Sequence, residues 1–424
     1  MDTVKITPRV LSGSVTIPPS KSLSHRAIIC AALSDGESRV DNLIFSKDII
    51  ATSKAMESLN VTMKFNENNI EIKGNESLKV VNNTIDCIES GSTLRFIIPI
   101  ALLADDSVTF VGEGRLTTRP LTTYYNIFDK EGIKYNIREG LPLTVNGSLK
   151  PSTYSVEGNI SSQFISGLMF ALPLLDGDST IEIIGELESK GYVDLTIDVM
   201  KQYGVNIKNN NYESFYIKGN QQYKAQNYRV EGDYSQVAFF IVAGLLGGEI
   251  TCLDMKRDSL QGDREIIDIV RSMGGNIEVL EDRIIVHPSK THGAVIDASQ
   301  CPDLVPILST LAALSEGETR IINAERVRIK ESDRLEAMRC ELNKLGANIV
   351  ETPDGLIING VESLNGGVVS GWNDHRIVMA LSMASIKAKG EVIIEGSEAI
   401  TKSYPTFFED FVSLGGEISG ISIR

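Results

Sequence analysis

The sequence predicts an α/β protein of two domains, each built from three copies of one supersecondary unit. Six apolar, helix-like runs end on a turn residue at intervals of roughly 70 residues, at Gly36, Asp106, Gly177, Gly247, Gly317 and Gly390. A second series ends more amphipathic helices on nearly the same spacing, at Asn60, Gly132, Gly204, Gly274, Gly346 and Gly415. Because self-similarity at a fixed period marks a repeated unit, six copies are predicted. A chain of 424 residues exceeds what one hydrophobic core spans, which predicts three copies per domain.

The first repeat shows the order of elements within the unit. An apolar helix over residues 22–33 is followed by Asp35-Gly36-Glu37 and a short strand, then by a loop over 45–48 and an amphipathic helix that ends at Leu59. Alternating apolar residues at 61–65 and 70–72 flank a turn rich in Asn, which predicts a hairpin. The unit is therefore predicted to be helix, strand, helix, hairpin.

The two helices of each unit differ in character. The first is apolar nearly all round and is predicted to lie inside a domain, with three parallel buried helices in each. The predicted first helices span residues 22–33, 93–103, 164–175, 235–246, 304–314 and 376–386. The second carries charge on one face, as at 264–273 and 333–345, and is predicted to face solvent. The fourth repeat begins near 227–233, so the predicted domains are residues 20–229 and a discontinuous domain of 1–19 with 230–424.

Composition argues against several classes of function. With 56 acidic and 41 basic side chains the net charge is -15, which disfavours nucleic acid as a partner. Five cysteines without paired spacing, and only four histidines, predict neither disulfides nor a zinc site and favour a reducing cytoplasm. The N-terminal residues lack a signal-peptide pattern, and the longest apolar runs fall short of the ~20 residues of a membrane helix. We therefore expect a cytoplasmic protein that binds neither membrane nor nucleic acid.

Basic side chains recur where the predicted helices begin. Ser, Asp and Asn at such positions are ordinary caps, but a cation near the positive end of a helix is unfavourable by about 0.3–1 kcal/mol. The run at 328–334, taken alone, is typical of a solvated helix start. Its recurrence at equivalent positions of other repeats favours bound phosphate or carboxylate groups, which arginine binds with two hydrogen bonds.

Seven segments carry a resemblance to a known family. They are Pro19-Ser20-Lys21-Ser22 with Arg26, Ser90-Gly91-Ser92-Thr93-Leu94-Arg95, Arg119-Pro120, Ser161-Ser162-Gln163, Lys330-Glu331-Ser332-Asp333-Arg334, Asn373-Asp374-His375-Arg376 and Lys402. In this order the chain resembles the 5-enolpyruvylshikimate-3-phosphate (EPSP) synthases over essentially its whole length. The resemblance implies a two-domain inside-out α/β barrel of three βαβαββ repeats per domain. It also implies a monomeric transferase of the shikimate pathway, which makes chorismate for aromatic amino acids, without metal or redox cofactor.

The resemblance further implies the reaction and the residues that perform it. The enolpyruvyl group of phosphoenolpyruvate passes to the 5-hydroxyl of shikimate 3-phosphate by addition and elimination, and phosphate is released. The implied catalytic residues are Asp303, Glu331, Lys21 and His375. Shikimate 3-phosphate would be bound by Lys21, Ser22, Arg26, Ser161, Ser162, Gln163, Ser189, Tyr192, Asp303, Arg326 and Lys330. Phosphoenolpyruvate would be bound by Lys21, Gly91, Arg119, Gln163, Arg334, Arg376 and Lys402.

The chain departs from the family pattern at three places. Ser92-Thr93-Leu94 precedes Arg95 and Phe96 follows it, where the family commonly has Thr-Ala before this arginine and proline after it. Lys190-Gly191 replaces a common Arg-Pro, and Arg326 stands where Asn is frequent. These differences are expected to change contacts and not the reaction. Gly91 is the position against which the inhibitor glyphosate would press, so the chain is expected to be a glyphosate target.

Three alternatives remain open from the sequence. The sister transferase that acts on UDP-N-acetylglucosamine carries a cysteine in the loop corresponding to 110–120 and Asn after its first lysine, whereas this loop has no cysteine and Ser22 follows Lys21. A non-catalytic anion-binding protein on the same scaffold would be expected to have lost Asp303, Glu331 or the arginines. An RNA-end phosphate cyclase would need a basic face, which the net charge disfavours.

Overall fold

The structure, a computed structural model, describes residues 2–75, 77–104, 106–137 and 140–420. The chain forms two compact units: the inserted unit, Pro19–Val230, and the discontinuous unit, Met1–Pro18 with Glu231–Arg424. The α-helices within the described ranges are α1 (Lys21–Ala32), α2 (Lys47–Glu57), α3 (Gly91–Ala101), α4 (Thr122–Glu131), α5 (Ser162–Ala171), α6 (Lys190–Gln202), α7 (Tyr234–Leu246), α8 (Ile266–Ser272), α9 (Val305–Ala313), α10 (Arg334–Lys344), α11 (His375–Ala384) and α12 (Phe407–Ser413).

Short strands alternate with these helices. They are β1 (Thr3–Thr7), β2 (Gly13–Thr16), β3 (Ser34–Asp41), β4 (Thr62–Phe65), β5 (Asn69–Gly74), β6 (Thr84–Asp86), β7 (Val108–Val111), β8 (Lys134–Tyr135), β9 (Leu143–Asn146), β10 (Thr153–Glu157), β11 (Ser179–Ile184), β12 (Ile207–Asn210), β13 (Ser214–Ile217), β14 (Tyr223–Lys224), β15 (Tyr228–Arg229), β16 (Ile250–Leu253), β17 (Asn276–Val279), β18 (Arg283–His287), β19 (Val295–Asp297), β20 (Glu318–Ile322), β21 (Asn348–Thr352), β22 (Gly355–Asn359), β23 (Gly367–Ser370), β24 (Val392–Glu395) and β25 (Glu417–Ser419).

The inserted unit contains three sheets of one topology. Their strand orders are β6-β7-β9-β8, β10-β11-β13-β12 and β14-β3-β5-β4, with β15 also paired to β3. In each sheet the first two strands are parallel and the last two form an antiparallel hairpin. Parallel neighbours need a crossover, which a buried helix supplies. The sheets that contain β6 and β10 are therefore βαβαββ units with their two helices, and the β14-β3-β5-β4 sheet takes its parallel edge strand from the end of the inserted unit.

The discontinuous unit repeats this topology with strands from both ends of the chain. One sheet, β19-β20-β22-β21, is continuous in sequence, whereas β2 joins β16, β17 and β18 as a parallel edge strand. The last sheet, β23-β24-β1-β25, takes β1 as an interior strand, with Lys5 opposite both Ile393 and Ser419. The N-terminal strands thus complete the fourth and sixth repeats, and the predicted α/β class is confirmed.

The first helix of each repeat is buried, as its apolar composition predicts. In the discontinuous unit α7, α9 and α11 are buried at every residue and pack against one another. In the inserted unit the Phe96 ring of α3 lies between His25 of α1 and Phe170 of α5, at centroid distances of 6.3 and 5.4 Å. No helix in the described part of the chain is long and apolar enough to cross a membrane.

Two local predictions are wrong. Gly36 does not turn the chain between helix and strand, because residues 34–41 form the continuous strand β3 and Gly36 is accommodated within it at φ 112°. The charged residues of the second helices do not all face solvent. Arg334 and Glu341 of α10 are 1% and 2% exposed, because each binds oppositely charged or polar partners inside the unit.

Candidate active site

Serine side chains cap the buried helices of the inserted unit. Ser20, Ser90 and Ser161 precede α1, α3 and α5, and each Oγ accepts a backbone N–H from the first helical turn, at 3.4, 3.1 and 3.3 Å respectively. These serines are therefore ordinary N-caps. Ser161 is itself a predicted shikimate 3-phosphate ligand, and other predicted ligands, among them Lys21 and Gly91, directly follow a cap.

Arg26 is a buried cation that donates hydrogen bonds to neutral groups. Its Nη1 donates to the Ser22 carbonyl at 2.7 Å, its Nη2 to the Tyr192 carbonyl at 2.9 Å, and its Nε to Thr196 Oγ1 at 2.8 Å. The guanidinium also lies 5.2 Å from the centre of the Phe96 ring. Burial lowers the pKa of Arg26 to about 10, so the group stays charged at neutral pH. Three predicted site residues, Ser22, Arg26 and Tyr192, are thereby brought together.

Gly91 lies under a group of long polar side chains. A Cβ at this position would stand 2.6 Å from Arg119 Nη1 and 3.1 Å from Arg95 Nη1. Arg95 Nη1 donates to Gln163 Oε1 at 2.8 Å, and Gln163 Nε2 donates to Ser92 Oγ at 2.9 Å. Because the first residue of α3 has no side chain, two guanidinium groups approach the helix N-terminus closely. The predicted residues Gly91, Arg119 and Gln163 therefore form one cluster.

A buried chain of hydroxyl groups connects α1 to the cap of α3. His25 Nδ1 is 2.7 Å from Thr52 Oγ1, which is 2.7 Å from Thr93 Oγ1, and Thr93 donates to Ser90 Oγ at 2.8 Å. Burial, with the charges of Lys21 and Arg26, lowers the pKa of His25 well below its usual value. Each hydroxyl has one proton to donate, and Thr93 donates its proton to Ser90, so Thr52 donates to Thr93 and accepts from His25. We therefore assign the proton of neutral His25 to Nδ1.

In the discontinuous unit one buried arginine binds three carboxylates. Arg334 donates from Nη1 to Asp303 at 2.8 Å, from Nη2 to Glu331 at 2.8 Å and from Nε to Asp374 at 2.8 Å. Burial alone would lower the pKa of Arg334, but Asp374, Glu331 and Asp303 outweigh it and raise the pKa. The two predicted proton-transfer residues, Asp303 and Glu331, therefore share one guanidinium.

Asp303 is the most heavily paired of these carboxylates. Besides Arg334, it accepts from Arg376 Nη2 at 3.1 Å and lies 3.7 Å from Lys330 Nζ. Burial raises the pKa of Asp303, but Arg376, Lys330 and Arg334 together hold it well below its usual range. Conversely, burial lowers the pKa of Lys330 despite its attraction to Asp303. Asp303 is thus ionised at neutral pH.

The remaining predicted residues of the discontinuous unit lie on adjoining turns. Lys402 Nζ donates to the Asn373 carbonyl at 2.7 Å. His375 begins α11, is 2% exposed and places Nδ1 3.7 Å from Asp374 Oδ1. Arg326 donates from Nη2 to the Ser299 carbonyl at 2.7 Å.

Comparison with known proteins identifies the family. The EPSP synthase (3-phosphoshikimate 1-carboxyvinyltransferase) family model matches residues 6–411. The chain belongs to the EPSP synthase family. A relative named 3-phosphoshikimate 1-carboxyvinyltransferase in Clostridium novyi (strain NT) is 58% identical over 428 residues, covering 99% of this chain and 98% of that protein. One of the same name in Clostridium kluyveri is 55% identical over 424 residues and covers both chains completely.

Solved structures of related proteins share the fold. The EPSP synthase from Acinetobacter baumannii is 24% identical, with a TM-score of 0.83 over 99% of this chain and 100% of that one. The enolpyruvyl transferase NikO from Streptomyces tendae is 16% identical, with a TM-score of 0.78 over 99% and 98% of the two chains. The two-domain α/β architecture of this family member is thus common to enolpyruvyl transferases that differ widely in sequence.

The sequence motifs of this EPSP synthase family member divide between the units. The inserted unit carries Lys21, Ser22, Arg26, Gly91, Arg119, Ser161, Ser162, Gln163, Ser189 and Tyr192, and the discontinuous unit carries Asp303, Arg326, Lys330, Glu331, Arg334, His375, Arg376 and Lys402. Ser162 and Ser189 are buried at the starts of α5 and α6, and Ser189 has the left-handed φ of 55°. Among the described residues, no group of three His, Cys, Asp or Glu side chains is placed to hold a metal ion.

Three residues of these clusters were missed as site candidates. Asp48 accepts from Lys21 Nζ at 2.9 Å, Arg95 binds Gln163, and Asp374 binds Arg334. Arg95 and Asp374 lie inside the motifs at 90–95 and 373–376, next to predicted ligands. That position could have identified them as site residues. Asp48 begins a second helix, and its pairing with Lys21 across 27 residues has no local signature.

Proposed function

We propose that this protein catalyses the transfer of the enolpyruvyl group of phosphoenolpyruvate to the 5-hydroxyl of shikimate 3-phosphate, with release of phosphate. The observation that carries the proposal is the pair of carboxylates, Asp303 and Glu331, held by Arg334 in a member of the EPSP synthase family. The reaction needs one base and one acid, and this pair supplies two carboxyl groups in one place. Relatives at 53–58% identity that carry the name of this activity support it.

The proposed chemistry is an addition followed by an elimination. Asp303 removes the proton of the 5-hydroxyl while the hydroxyl oxygen attacks C2 of phosphoenolpyruvate. Glu331 protonates the C3 methylene. The resulting tetrahedral intermediate then loses a proton from C3 and expels phosphate, which restores the double bond. Lys21 and His375 assist movement of charge and protons. Proton transfer by positioned groups of this kind contributes about 10²–10⁴-fold in rate.

The low pKa of Asp303 bears directly on its proposed role. A carboxylate stabilised by three cations is a weak base. We propose that Arg376 binds phosphoenolpyruvate and Lys330 binds shikimate 3-phosphate, so that the anionic substrates share with Asp303 the positive charge of these side chains. Sharing that charge raises the pKa of Asp303. The base would therefore be strengthened only when both substrates are bound.

The proposed binding residues come from both units. Shikimate 3-phosphate contacts Lys21, Ser22, Arg26, Ser161, Ser162, Gln163, Ser189, Tyr192, Asp303, Arg326 and Lys330. Phosphoenolpyruvate contacts Lys21, Gly91, Arg119, Gln163, Arg334, Arg376 and Lys402. Helix N-termini with nearby arginines suit phosphate and carboxylate groups, which supports this assignment. We further propose that the enzyme acts as a monomer in the cytoplasm.

The decisive experiment measures phosphate release by the purified protein. Release is expected when phosphoenolpyruvate and shikimate 3-phosphate are both present and not with either alone, and NMR should detect the enol ether product. An Asp303→Asn variant should release phosphate at a rate lower by about 10²-fold or more, because the base is lost. Release that requires UDP-N-acetylglucosamine in place of shikimate 3-phosphate would contradict the proposal and favour the sister transferase.

A further inference from the structure

The turn over residues 370–374 connects β23 to α11 through a strained backbone. Trp372 and Asn373 are both in the left-handed region, with φ of 51° and 50°. Asn tolerates this region, whereas for a residue as bulky as tryptophan it is unfavourable. Two such residues in succession persist only where surrounding contacts hold them. The 370–374 turn therefore depends on groups outside itself.

Glu341 on α10 supplies those contacts. Its carboxylate is 2% exposed, Oε1 accepts the indole N–H of Trp372 at 2.8 Å, and Oε2 accepts the backbone N–H of Ser370 at 3.0 Å. Lys344, one helical turn later, donates to both oxygens at 2.9 and 2.7 Å. A buried carboxylate is costly without such partners. Glu341 thus attaches two points of the 370–374 turn to α10.

The 370–374 turn carries groups that contact the side chains proposed to bind phosphoenolpyruvate. The Asn373 carbonyl accepts the Lys402 Nζ hydrogen bond at 2.7 Å. Asp374 caps α11 by accepting the Arg376 N–H at 2.9 Å, and it also accepts from Arg334 Nε at 2.8 Å. A shift of this turn would therefore move the acceptor of Lys402 and the start of the helix that bears Arg376.

We propose that Glu341 is a positioning residue for phosphoenolpyruvate binding, acting through Trp372 and the 370–374 turn on Lys402 and Arg376. This inference rests on the function proposed above and adds a residue that none of the sequence motifs contains. Glu341 acts by holding the backbone that orients two cations. Loss of Glu341 should therefore weaken the binding of phosphoenolpyruvate, the substrate that these two cations are proposed to bind.

The test is the Glu341→Gln variant, assayed by steady-state phosphate release. The amide keeps one acceptor oxygen and loses the charge, so the KM for phosphoenolpyruvate should rise about tenfold, the equivalent of one charged hydrogen bond. The KM for shikimate 3-phosphate should change by less than about twofold. Trp372 is the only tryptophan, and its emission maximum should change as the indole N–H loses its charged acceptor.

Two further variants keep the test decisive. Glu351→Gln removes a carboxylate that binds Arg328 and Arg339, and both KM values should stay near those of the wild type. Trp372→Phe removes the indole N–H together with part of the ring and should also raise the KM for phosphoenolpyruvate, so it carries the test if Glu341→Gln does not fold. An unchanged KM for phosphoenolpyruvate, or equal changes for both substrates, would overturn the inference. A wild-type protein without phosphate release would instead overturn the proposed function itself.

Discussion

The two units differ in the kinds of group to which their buried arginines donate hydrogen bonds. In the inserted unit the buried guanidinium of Arg26 donates to two carbonyl oxygens and one hydroxyl oxygen, which are neutral. In the discontinuous unit Arg334 and Arg376 donate to carboxylates. The first arrangement leaves the positive charge available to an anion, whereas the second largely cancels it. Anion binding and proton transfer are therefore favoured by different halves of the same chain.

This difference explains how a strongly acidic protein can bind anionic substrates. Local charge at buried sites, and not the net charge of -15, decides which ligands are attracted. In the proposed mechanism the carboxylates of the discontinuous unit become effective bases only when substrate shares the cations around them. We therefore expect variants of the carboxylates Asp303 and Glu331 to reduce turnover most, and variants of the arginines of the inserted unit to weaken substrate binding.

The largest expected effect is that of Glu331→Gln. Loss of this acid should lower kcat by about 10³-fold, because the C3 methylene has no other proposed proton donor. Calorimetry should show shikimate 3-phosphate bound nearly as tightly as by the wild type. Glu336→Gln, at an exposed position on α10, is the control and should keep kcat. Unchanged turnover in Glu331→Gln would remove this residue from the proton-transfer step.

Arg119→Ala should give the next largest effect. The KM for phosphoenolpyruvate should rise about 30-fold through loss of a charged hydrogen-bond donor, and the KM for shikimate 3-phosphate should change by less than about threefold. Steady-state kinetics with each substrate varied in turn measures the difference. Arg115→Ala, on an exposed part of the same loop, is the matched control. Equal changes in both KM values would place Arg119 outside the phosphoenolpyruvate site.

Gly91→Ala should have a smaller effect in the same direction. Its Cβ would stand 2.6 Å from Arg119 Nη1, so the flexible end of that arginine must move. The KM for phosphoenolpyruvate should rise about three- to tenfold, and inhibition by glyphosate should weaken by more. Gly390→Ala, whose Cβ meets only ordinary contacts, is the control. Full glyphosate sensitivity in Gly91→Ala would contradict the predicted position of the inhibitor.

The smallest effect concerns the stability of the inserted unit against pH. The pKa of His25 is lowered in the folded state, so the unfolded chain binds more protons below about pH 6.5 and the folded state loses stability there, by up to about 1.4 kcal/mol per pH unit. His25→Asn keeps an N–H donor toward Thr52 and removes this titration. The difference in Tm between wild type and variant should therefore shrink between pH 7 and pH 5.5. If the Tm of the wild type and that of the variant changed in parallel with pH, His25 would not titrate as inferred.

The sequence predicted what depends on local patterns. Apolar composition on all sides identified the buried helices α7, α9 and α11, and Ser or Asp before a helix identified the caps of α1, α3, α5, α7 and α11 but not of α9. Contacts between distant residues were not predicted. Asp48 with Lys21 and Glu341 with Trp372 pair across 27 and 31 residues, and no spacing rule marks them. The burial of Arg334 was missed because charge on a helix usually indicates solvent, and only the fold shows its three carboxylate partners.

The interior place of β1 in the last sheet has a consequence for how the protein is made. The inserted unit leaves the ribosome as one uninterrupted segment and can fold at once, since domains fold as units during synthesis. The discontinuous unit cannot, because β1 is translated before the inserted unit and its neighbours β24 and β25 are translated after it. The last sheet is therefore completed only after β1 has waited for the synthesis of the two strands between which it lies.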